Sequence, residues 1–586
     1  MGPAERATTS LPDSVDIAVV GGGVSGLYCA LQLSRLIKEN RPLHIGGARL
    51  DSASLAPVPI HLFEASARLG GRIQTWNVSL TPGPNGEVFR AEFGPMRIEP
   101  RDQPLLNDLL EHIGIGEPQG GPESDFDLTG FSAYASEEPL QPKFTLEGEE
   151  GEQSSLLDLL LLAIRRICEL VAEDDQRIPA DTHRDAARYW RKFLGGSSVR
   201  RRYWKGELRD WIMNLDHEDY DHIRRNIRIN SVCLRDMGFW NLLSEVLSHL
   251  AVLRIRDWGS YYHLVSENPN AAEHLIMWLR SIKSTNSLRG IRGGMELMVT
   301  ELAKRLTPDR GVRLHVPCTV IAVEPAASDT GHRLRVRFDD GRSVLARDVI
   351  LALPKRPLEK LDLAPLRPHL DAVVGIPLLK VFFVIDQPWW EDNRPANRFA
   401  GDLPTREIHY WKSRDRGRGV LMIYTDRPAL QFWTDYLDDE QMVYQDQPAI
   451  WKLDPQLGRM EDRLPNRRLW RRFVQYARDY EHNDFTAERL LAVAIRDWGK
   501  EPYDGAVHVW RPRRRSWEVM AQLVAWGFSP GETNLHVIGE AYSDYQGFIE
   551  GALRSAARVI SYFVTGQADT EFSDRVFLAA NALQRD

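Results

Sequence analysis

Cysteine is scarce in this sequence of 586 residues, which contains only Cys29, Cys168, Cys233 and Cys318. Their wide spacing, with no CxxC pair, excludes the disulfide framework of a small secreted domain and offers no zinc-ligand pattern. The longest apolar run, residues 156–164, is interrupted by an aspartate and is too short to cross a bilayer. The first residues lack the apolar core of a secretory signal, and no apolar tail ends the chain. We therefore expect a cytoplasmic protein that does not use a membrane as a partner.

Net positive charge is also lacking, since the formal net charge is −8. This balance argues against nucleic acid as the main partner. A hydrophobic fraction of 43% and a charged fraction of 27% are typical of globular proteins, and the length allows several domains. Histidines such as His508 and His536 are isolated, so we predict neither a metal site nor a hydrolytic constellation of nucleophile, base and acid.

A dinucleotide-binding motif stands near the start, where residues 15–26 read VDIAVVGGGVSG. An apolar run followed by three spaced glycines and an amphipathic segment predicts a strand, a tight turn and a helix. Gly21 permits the turn, Gly23 lets a pyrophosphate approach the backbone, and Gly26 lets the helix pack closely on the strand. The free N–H groups of the helix then face the phosphates.

A second strand, predicted over residues 57–63, ends at Glu64, whose carboxylate is suited to bind a ribose hydroxyl. The gap of 38 residues from Gly26 exceeds the usual one of about 20. Residues 40–56 are rich in Gly, Pro and Ser, and we interpret them as an inserted loop. Arg68 and Arg72 follow in RLGGR, where two guanidinium groups could neutralise a pyrophosphate.

With these motifs the sequence resembles the FAD-dependent amine oxidases, a family that includes monoamine, polyamine and L-amino acid oxidases and tryptophan monooxygenase. A second block, IGEAYSDYQGFIEGALRSA over residues 538–556, resembles the flavin-binding end motif of that family. Segments 233–236 and 238–240 look closest to the bacterial amino acid oxidase/monooxygenase branch.

The resemblance implies an α/β fold, in which an FAD-binding Rossmann-like domain of the glutathione-reductase type accompanies a mixed-sheet substrate domain and an inserted helical subdomain. We expect the FAD-binding domain to comprise residues 12–100, 288–355 and 496–566. Residues 101–287 would form the substrate/helical domain and 356–495 the substrate-binding domain. Local patterns predict a helix over 469–491 and a long closing helix over 547–564.

The resemblance also implies FAD as the cofactor. The backbone at Val320 would hold the adenine, Glu540 would bond the ribityl chain, and Trp498 would pack near the flavin. The closing helix would direct its N-terminus at the pyrimidine carbonyl, where its dipole stabilises negative charge. The full set of implied cofactor contacts is Gly21, Gly23, Ser25, Gly26, Glu64, Ala65, Gly71, Arg72, Gly94, Pro95, Met96, Arg97, Val320, Trp498, Gly539, Glu540, Gly547 and Phe548.

Three residues are implied as the centre of the substrate site. Arg97, in FGPMRI, matches an arginine that binds the substrate carboxylate in L-amino acid oxidases, and a structural salt bridge is the alternative. Tyr410, in EIHYWKS, matches a tyrosine that gives the carboxylate a second hydrogen bond, and core packing is its alternative. Lys380 matches a lysine that holds a water against the flavin N5, and a charged residue within an apolar strand is unusual.

The amine end of the site would be formed by Gly547, whose carbonyl accepts a bond from the substrate amine. Phe548 stands where many L-amino acid oxidases have tryptophan, so the aromatic wall is kept and an indole donor is lost. Trp510 could line the same space or pack in the core.

These features predict an FAD-dependent L-amino acid oxidase that acts on an L-amino acid and oxygen, and a homodimer or higher homo-oligomer is compatible with them. Acidic residues could bind a long basic side chain such as that of arginine or lysine, whereas the aromatic residues suit tryptophan or phenylalanine equally. The acidic residues considered are Asp236, Glu501, Asp504 and Asp544. The alternatives are an amino acid monooxygenase that forms an amide, an amine or polyamine oxidase, and a flavin-fold scaffold without activity.

Overall fold

The computed structural model describes most of the chain, and all statements below refer to that part. The described residues are 11–81, 86–99, 102–115, 126–127, 156–177, 204–258, 267–284, 289–327, 331, 333–361, 363–390, 407–413, 415, 417–427, 429–435, 449–452, 467–479 and 489–568.

Strands are distributed along the whole described chain. In order they are β1 (Ser14–Val20), β2 (Leu43–Ile45), β3 (Ala48–Leu50), β4 (Ile60–Phe63), β5 (Thr75–Ser79), β6 (Val88–Glu92), β7 (Phe126–Asp127), β8 (Arg228–Ile229), β9 (Val232–Cys233), β10 (Gly290–Ile291), β11 (Val312–His315), β12 (Val320–Pro325), β13 (Leu334–Phe338), β14 (Ser343–Leu351), β15 (Val373–Ile376), β16 (Leu379–Asp386), β17 (Glu407–Lys412), β18 (Arg418–Thr425), β19 (Ala449–Lys452), β20 (Leu490–Asp497), β21 (Val507–Trp510) and β22 (Leu535–Val537).

Helices alternate with the strands at both ends of the chain and dominate one middle segment. They are α1 (Val24–Lys38), α2 (Pro104–His112), α3 (Leu156–Arg177), α4 (Trp204–Met213), α5 (His217–Asn226), α6 (Phe239–Val246), α7 (His249–Trp258), α8 (Ala271–Ser284), α9 (Glu296–Arg305), α10 (Lys355–Lys360), α11 (Arg367–Leu370), α12 (Ala429–Thr434), α13 (Arg467–Asp479), α14 (Ser516–Val524) and α15 (Ile549–Thr565). Within the described residues, none of these helices is long and apolar enough to cross a bilayer.

A seven-stranded sheet forms the cofactor domain, with strand order β11-β4-β1-β14-β13-β12 and β22 added alongside β14. Strands β4, β1, β14 and β22 run parallel, so that Val20 stands opposite both Phe63 and Leu351. Apolar clusters cover both faces, which explains why β1 is a continuous apolar run rather than an alternating one. Helices α1, α9 and α15 pack on one face. The predicted α/β fold with a Rossmann-like FAD-binding domain is confirmed.

A second sheet has the antiparallel order β17-β18-β16-β20-β19. Its side chains alternate between two apolar clusters, because successive residues of a strand point to opposite faces. Phe382 of β16 faces the cluster that contains Phe93 and Trp498. Phe383 faces the other cluster, where it stacks on Phe473 of α13 at 3.8 Å between ring centroids.

After the two sheets, the third layer of the structure is formed by the helices of the middle segment. Described helices α3 to α8 enclose one apolar cluster that includes Leu161, Ile223, Phe239 and Trp278. Helix α8 contributes Met277 and Arg280 to a cavity that is described below.

Two local predictions are wrong. The segment 40–56 is a β2–β3 hairpin followed by a short turn, not an irregular loop, because Gly46 and Gly47 adopt φ of +62° and +79° and close a tight turn. The predicted helix does not reach residue 491, because strand β20 begins at Leu490; the described part of the helix, α13, covers Arg467–Asp479. Pairing of β20 with β16 along nearly its whole length outweighs the local helical pattern there.

Candidate functional site

The turn between β1 and α1 has the geometry that the three glycines predict. Gly21 has a φ of +108°, which an L-residue with a side chain rarely adopts. A Cβ atom at Gly26 would lie 2.1 Å from the carbonyl oxygen of Gly21, so only glycine lets the helix pack this closely. A Cβ atom at Gly23 would meet nothing within 4 Å. Gly23 and Ser25 instead line a cavity of about 560 Å³, and Gly26 does not line it.

The carboxylate of Glu64 is fixed at the end of β4. Its Oε2 accepts a hydrogen bond from the N–H of Gly22 at 2.6 Å, and its Oε1 accepts one from the N–H of Ser66 at 2.8 Å. Glu64 and Ala65 line the same cavity as Gly23, and Val320 lines it from β12. The two carboxylate oxygens therefore stand at the position from which a ribose hydroxyl is bound in this type of fold.

The two arginines of the RLGGR segment have different positions. Arg68 directs its guanidinium back to the carbonyl oxygens of Leu69, Gly71 and Ile73, and it is not part of the cavity lining. Its predicted contact with a pyrophosphate is therefore wrong, because local backbone acceptors occupy its donors. Arg72 does line the cavity, together with Gly71.

Arg72 joins three distant segments of the chain. Its Nη1 donates to the carbonyl oxygen of Ala506 at 2.6 Å, and its Nη2 lies 2.8 Å from Oε2 of Glu540. Glu540 also accepts hydrogen bonds from the backbone N–H groups of His508 at 2.8 Å and of Gly547 at 3.1 Å. Burial alone would raise the pKa of Glu540, but Arg72 and His508 outweigh it and lower the pKa to about 2. An ionised carboxylate thus fixes the segment that leads into α15.

The lining of this cavity fits FAD. Gly23 leaves an open backbone beside the N-terminus of α1, which suits a pyrophosphate, and Glu64 suits the ribose. At the other end the lining contains Trp498, Gly539 and Gly547. The cavity thus extends from the first βα turn to the start of the closing helix.

A second cavity of about 290 Å³ adjoins the first, and Gly94, Pro95, Tyr424, Gly547 and Phe548 line both. The shared wall is where the reactive part of a cofactor in the first cavity would meet a ligand in the second.

The remaining predicted residues divide between the two cavities. Met96 and Arg97, which the resemblance also implies as cofactor contacts, line only the second. Trp510 lines the second as well, and its Nε1 donates to the carbonyl oxygen of Ser543 at 3.0 Å. Trp498 lines the first, and its Nε1 donates to the carbonyl oxygen of Phe93 at 2.7 Å. Both indoles are fixed by backbone acceptors.

A transverse row of polar side chains crosses the second sheet at the cavity. Tyr424 of β18 stands directly opposite Glu407 of β17 on one side and Lys380 of β16 on the other. Directly opposed residues share a face of the sheet, and all three line the second cavity. Tyr424 and Glu407 are site residues that the sequence analysis missed. For Tyr424 the available signal was the one that identified Lys380, a polar residue in a largely apolar strand. The strand of Glu407, EIHYWK, is mixed and offers no such signal.

Tyr410 does not take part in this row. It lies three residues after Glu407, so strand alternation directs it to the opposite face. There it belongs to the apolar cluster around Phe383, with its ring centroid 5.3 Å from that of Trp390. The expectation that Tyr410 and Arg97 hold the same carboxylate is therefore corrected: Tyr424 is the tyrosine that faces the cavity.

Lys380 is buried among backbone acceptors. Its Nζ donates to the carbonyl oxygens of Glu92 at 2.8 Å and Gly94 at 2.6 Å, and it lies 4.7 Å from the ring centroid of Tyr424. Burial, and then the charge of Arg97, lower the pKa of Lys380 to about 7. This ammonium group can therefore exchange its proton near neutral pH.

Arg97 extends into the second cavity with 23% of its side chain exposed. Its Nη1 lies 3.6 Å from Oε1 of Glu407, which is itself 1% exposed and lies 2.7 Å from Nε2 of His409. Burial favours a neutral Glu407, but Arg97 and His409 outweigh it and lower its pKa below the usual range. Burial lowers the pKa of His409. The cavity thus holds a cationic group that is partly accessible and partly balanced by a buried anion.

The acidic residues considered for a basic substrate do not supply free negative charge to the second cavity. Asp236 is 44% exposed, and neither it nor Asp504 lines either cavity. Glu501 pairs with Lys360 and lines the first cavity only. Asp544 lines the second, but its carboxylate is bound by two arginines of α15.

Comparisons with known proteins agree with this geometry. A sequence model of flavin-containing amine oxidoreductases matches residues 24–559. Aplysianin-A of Aplysia kurodai is 23% identical over an alignment of 589 positions, which includes 95% of this chain and 91% of that protein. The uncharacterized protein R188 of Acanthamoeba polyphaga mimivirus is 21% identical over 443 residues, 73% of each chain.

Solved structures of putrescine oxidase share the fold. A double mutant redesigned in its cofactor binding gives a TM-score of 0.53 at 16% identity, covering 93% of this chain and 99% of its own. The wild-type enzyme bound to putrescine gives 0.52 at 16% identity, covering 94% and 99%.

Proposed function

This chain belongs to the flavin-containing amine oxidoreductase family with FAD as its cofactor, and we propose that within this family it oxidises L-amino acids. The overall reaction converts an L-amino acid, water and oxygen to the 2-oxo acid, ammonia and hydrogen peroxide. When bound, FAD accepts the hydrogen and electron pair from the substrate Cα–H bond and passes the electrons to oxygen.

The observation that carries the proposal is the position of Arg97. It lines the cavity that adjoins the cofactor cavity, and 23% of its side chain is exposed there. A guanidinium group stays charged at any working pH and presents parallel N–H donors to both oxygens of a carboxylate. An amine without a carboxylate has no use for this group.

Other residues of the chain would orient the substrate between the two cavities. We infer that the hydroxyl group of Tyr424, a residue that lines the cavity, would donate a second hydrogen bond to the carboxylate in place of Tyr410. The backbone at Gly547 and the ring of Phe548 border the shared wall, where the amine group and Cα would lie. Fixing the substrate in this orientation removes much of the entropic cost of the reaction. Lys380, whose pKa is lowered to about 7, can hold or release a proton at Nζ beside the reacting group.

A second candidate, oxidation of a primary amine or diamine, is favoured by one observation. Glu407 is a buried carboxylate in the lining of the cavity and could bind an ammonium group. This candidate predicts that putrescine or a monoamine reduces the flavin and that Glu407→Gln abolishes the reduction. Under the amino acid proposal Glu407→Gln keeps the activity, because Glu407 then serves Arg97 and His409 rather than the substrate.

The deciding experiment is an anaerobic screen of flavin reduction with the holoprotein. The twenty L-amino acids, several D-isomers and the corresponding decarboxylated amines are compared by loss of the visible flavin absorbance. We expect reduction by one or more L-amino acids and none by their decarboxylated amines. Reduction by amines alone contradicts the proposal. Ammonia, peroxide and carbon dioxide measured after turnover in oxygen then separate the oxidase from an amide-forming monooxygenase.

A matched pair of tyrosine variants tests the orientation of the substrate. Tyr424→Phe removes a hydroxyl group from the cavity, whereas Tyr410→Phe removes one from the opposite face of the sheet. Loss of a hydrogen bond to a carboxylate should raise KM about tenfold for Tyr424→Phe. Tyr410→Phe should leave KM unchanged. The reverse outcome would return the carboxylate contact to Tyr410.

A further inference from the structure

Arg280 of α8 is a buried arginine that lines the second cavity. It is 7% exposed. Its guanidinium lies 4.8 Å from the ring centroid of Tyr220 and 4.3 Å from that of Tyr545. The hydroxyl group of Tyr545 donates to Oδ2 of Asp102 at 2.6 Å, which keeps that ring in place. Two aromatic contacts therefore fix the position of the guanidinium.

The donors of Arg280 are only partly used. Its Nη1 donates to the backbone carbonyl oxygen of Asp544 at 2.9 Å, and its Nε is buried without a hydrogen-bond partner. Among the described residues no carboxylate forms an ion pair with it. The carboxylate of Asp544 is committed to Arg554 at 2.6 Å and to Arg558 at 3.0 Å.

Two other buried arginines, Arg224 and Arg554, use Nε together with Nη2 to bind a carboxylate. Arg224 places Nε at 2.6 Å and Nη2 at 3.1 Å from the two oxygens of Glu273. Arg554 binds Asp544 through the same pair of nitrogens. Burying a guanidinium without a directly paired carboxylate is unfavourable, so a cavity-lining arginine that forms no ion pair among the described residues is suited to a carboxylate that a ligand brings.

We propose that Arg280 is a specificity-determining residue that binds a second carboxylate, at the far end of the substrate side chain. This inference rests on the proposed function and names its substrate class: L-amino acids with an acidic side chain. Arg97 lies beside the second sheet, and Arg280 lies on the helical layer. One wall of the cavity would hold each carboxylate. A lysine, arginine or diamine substrate would instead bring a second cation towards Arg280.

The test compares near-isosteric substrates on the holoprotein. L-glutamate and L-glutamine differ in the charge of the distal group, and L-aspartate and L-2-aminoadipate vary the distance to it. The quantity compared is the second-order rate constant of anaerobic flavin reduction. We expect the ratio of this constant for the best acidic substrate to that for its amide to be about 10 to 100. Arg280→Met keeps the length of the side chain and should reduce this ratio to near one. Arg280→Lys should give an intermediate ratio.

The control is Arg225→Met. Arg225 also lies over an aromatic ring, 5.2 Å from the centroid of Trp517, and pairs with Asp221, but it does not line the cavity. Its loss should leave the ratio unchanged. A preference of the unmodified protein for neutral or basic side chains, or an unchanged ratio in Arg280→Met, overturns the proposal.

A binding measurement separates this inference from the proposed function. Titration with glutarate and with butyrate, which carry no amine, is followed by the shift in the flavin absorbance. Tighter binding of glutarate that is lost in Arg280→Met supports the anion site even if no amino acid reduces the flavin, and the failure then belongs to the proposed function. Equal binding of glutarate and butyrate by the unmodified protein overturns the anion site.

Discussion

The role of Arg97 can be tested by removing its charge, because the structure assigns it two possible partners. It lies 3.6 Å from Glu407, and it also extends into the cavity where a substrate carboxylate would bind. Arg97→Met keeps most of the side-chain volume and removes both interactions. The variant leaves Glu407, 1% exposed, with His409 as its remaining partner.

The loss of the ion pair with Glu407 and the loss of the contact with the substrate differ in magnitude, and they are measured in different ways. Removing one partner of a buried ion pair costs about 3–5 kcal/mol, but Arg97 is partly exposed and the pair is longer than a hydrogen bond. We therefore expect a loss of about 2 kcal/mol in stability, seen as a lower thermal midpoint of the holoprotein. Loss of a charged hydrogen-bonded contact with substrate costs about 2–5 kcal/mol, so kcat/KM for the best amino acid should fall at least about 30-fold.

A double variant separates the two roles. Adding Glu407→Gln to Arg97→Met removes the unpaired buried charge and should restore most of the thermal midpoint. It cannot restore a contact with the substrate, so kcat/KM should stay low. Recovery of kcat/KM in the double variant to within about threefold of the unmodified protein would show that Arg97 serves only as a counter-ion for Glu407.

Two further predictions concern the cofactor domain. Gly23→Ala adds a methyl group that faces only the open cavity. It should lower FAD retention after desalting and leave the thermal midpoint of the apoprotein unchanged. Gly26→Ala should lower that midpoint, because its Cβ would lie 2.1 Å from the carbonyl oxygen of Gly21. Nδ1 of His61 lies 2.8 Å from Nε2 of His315. Burial lowers the pKa of each histidine to about 4, from about 6.5 in the unfolded chain. Between these values the unfolded chain binds more protons, so stability should fall as the pH falls from 6.5 to 4, and His61→Phe should remove about half of this loss in pH-dependent denaturation.

The cofactor motifs could be predicted from sequence because they are local. The spacing of Gly21, Gly23 and Gly26 determines a strand, a turn and a helix within one short segment. Arg68 shows the limit of such reasoning. Its neighbours supply backbone carbonyl oxygens in a turn that only the three-dimensional arrangement reveals.

The tyrosine of the substrate site could not be assigned without the strand register. Tyr410 lies in the mixed strand EIHYWK and Tyr424 in the more apolar strand RGVLMIYT, and neither composition shows which face the tyrosine takes. Which of them faces the cavity depends on the pairing of β17, β18 and β16, and a shift by one residue would exchange the two faces. That register is set by contacts between segments far apart in sequence.

The distribution of charge around the second cavity leads to a conclusion that no single segment contains. Arg97 on one wall has a buried anion beside it in Glu407, so its charge is partly balanced before a substrate arrives. Arg280 on another wall forms no ion pair among the described residues, and the carboxylate of Asp544, which lines the same cavity, is bound by two arginines of α15. A carboxylate at the far end of a ligand therefore displaces no ion-paired partner of Arg280 among the described residues, whereas a carboxylate at Arg97 must compete with Glu407. Affinity for an acidic substrate should accordingly depend more on Arg280 than affinity for a neutral one does, and the requirement for Arg97 should be common to both.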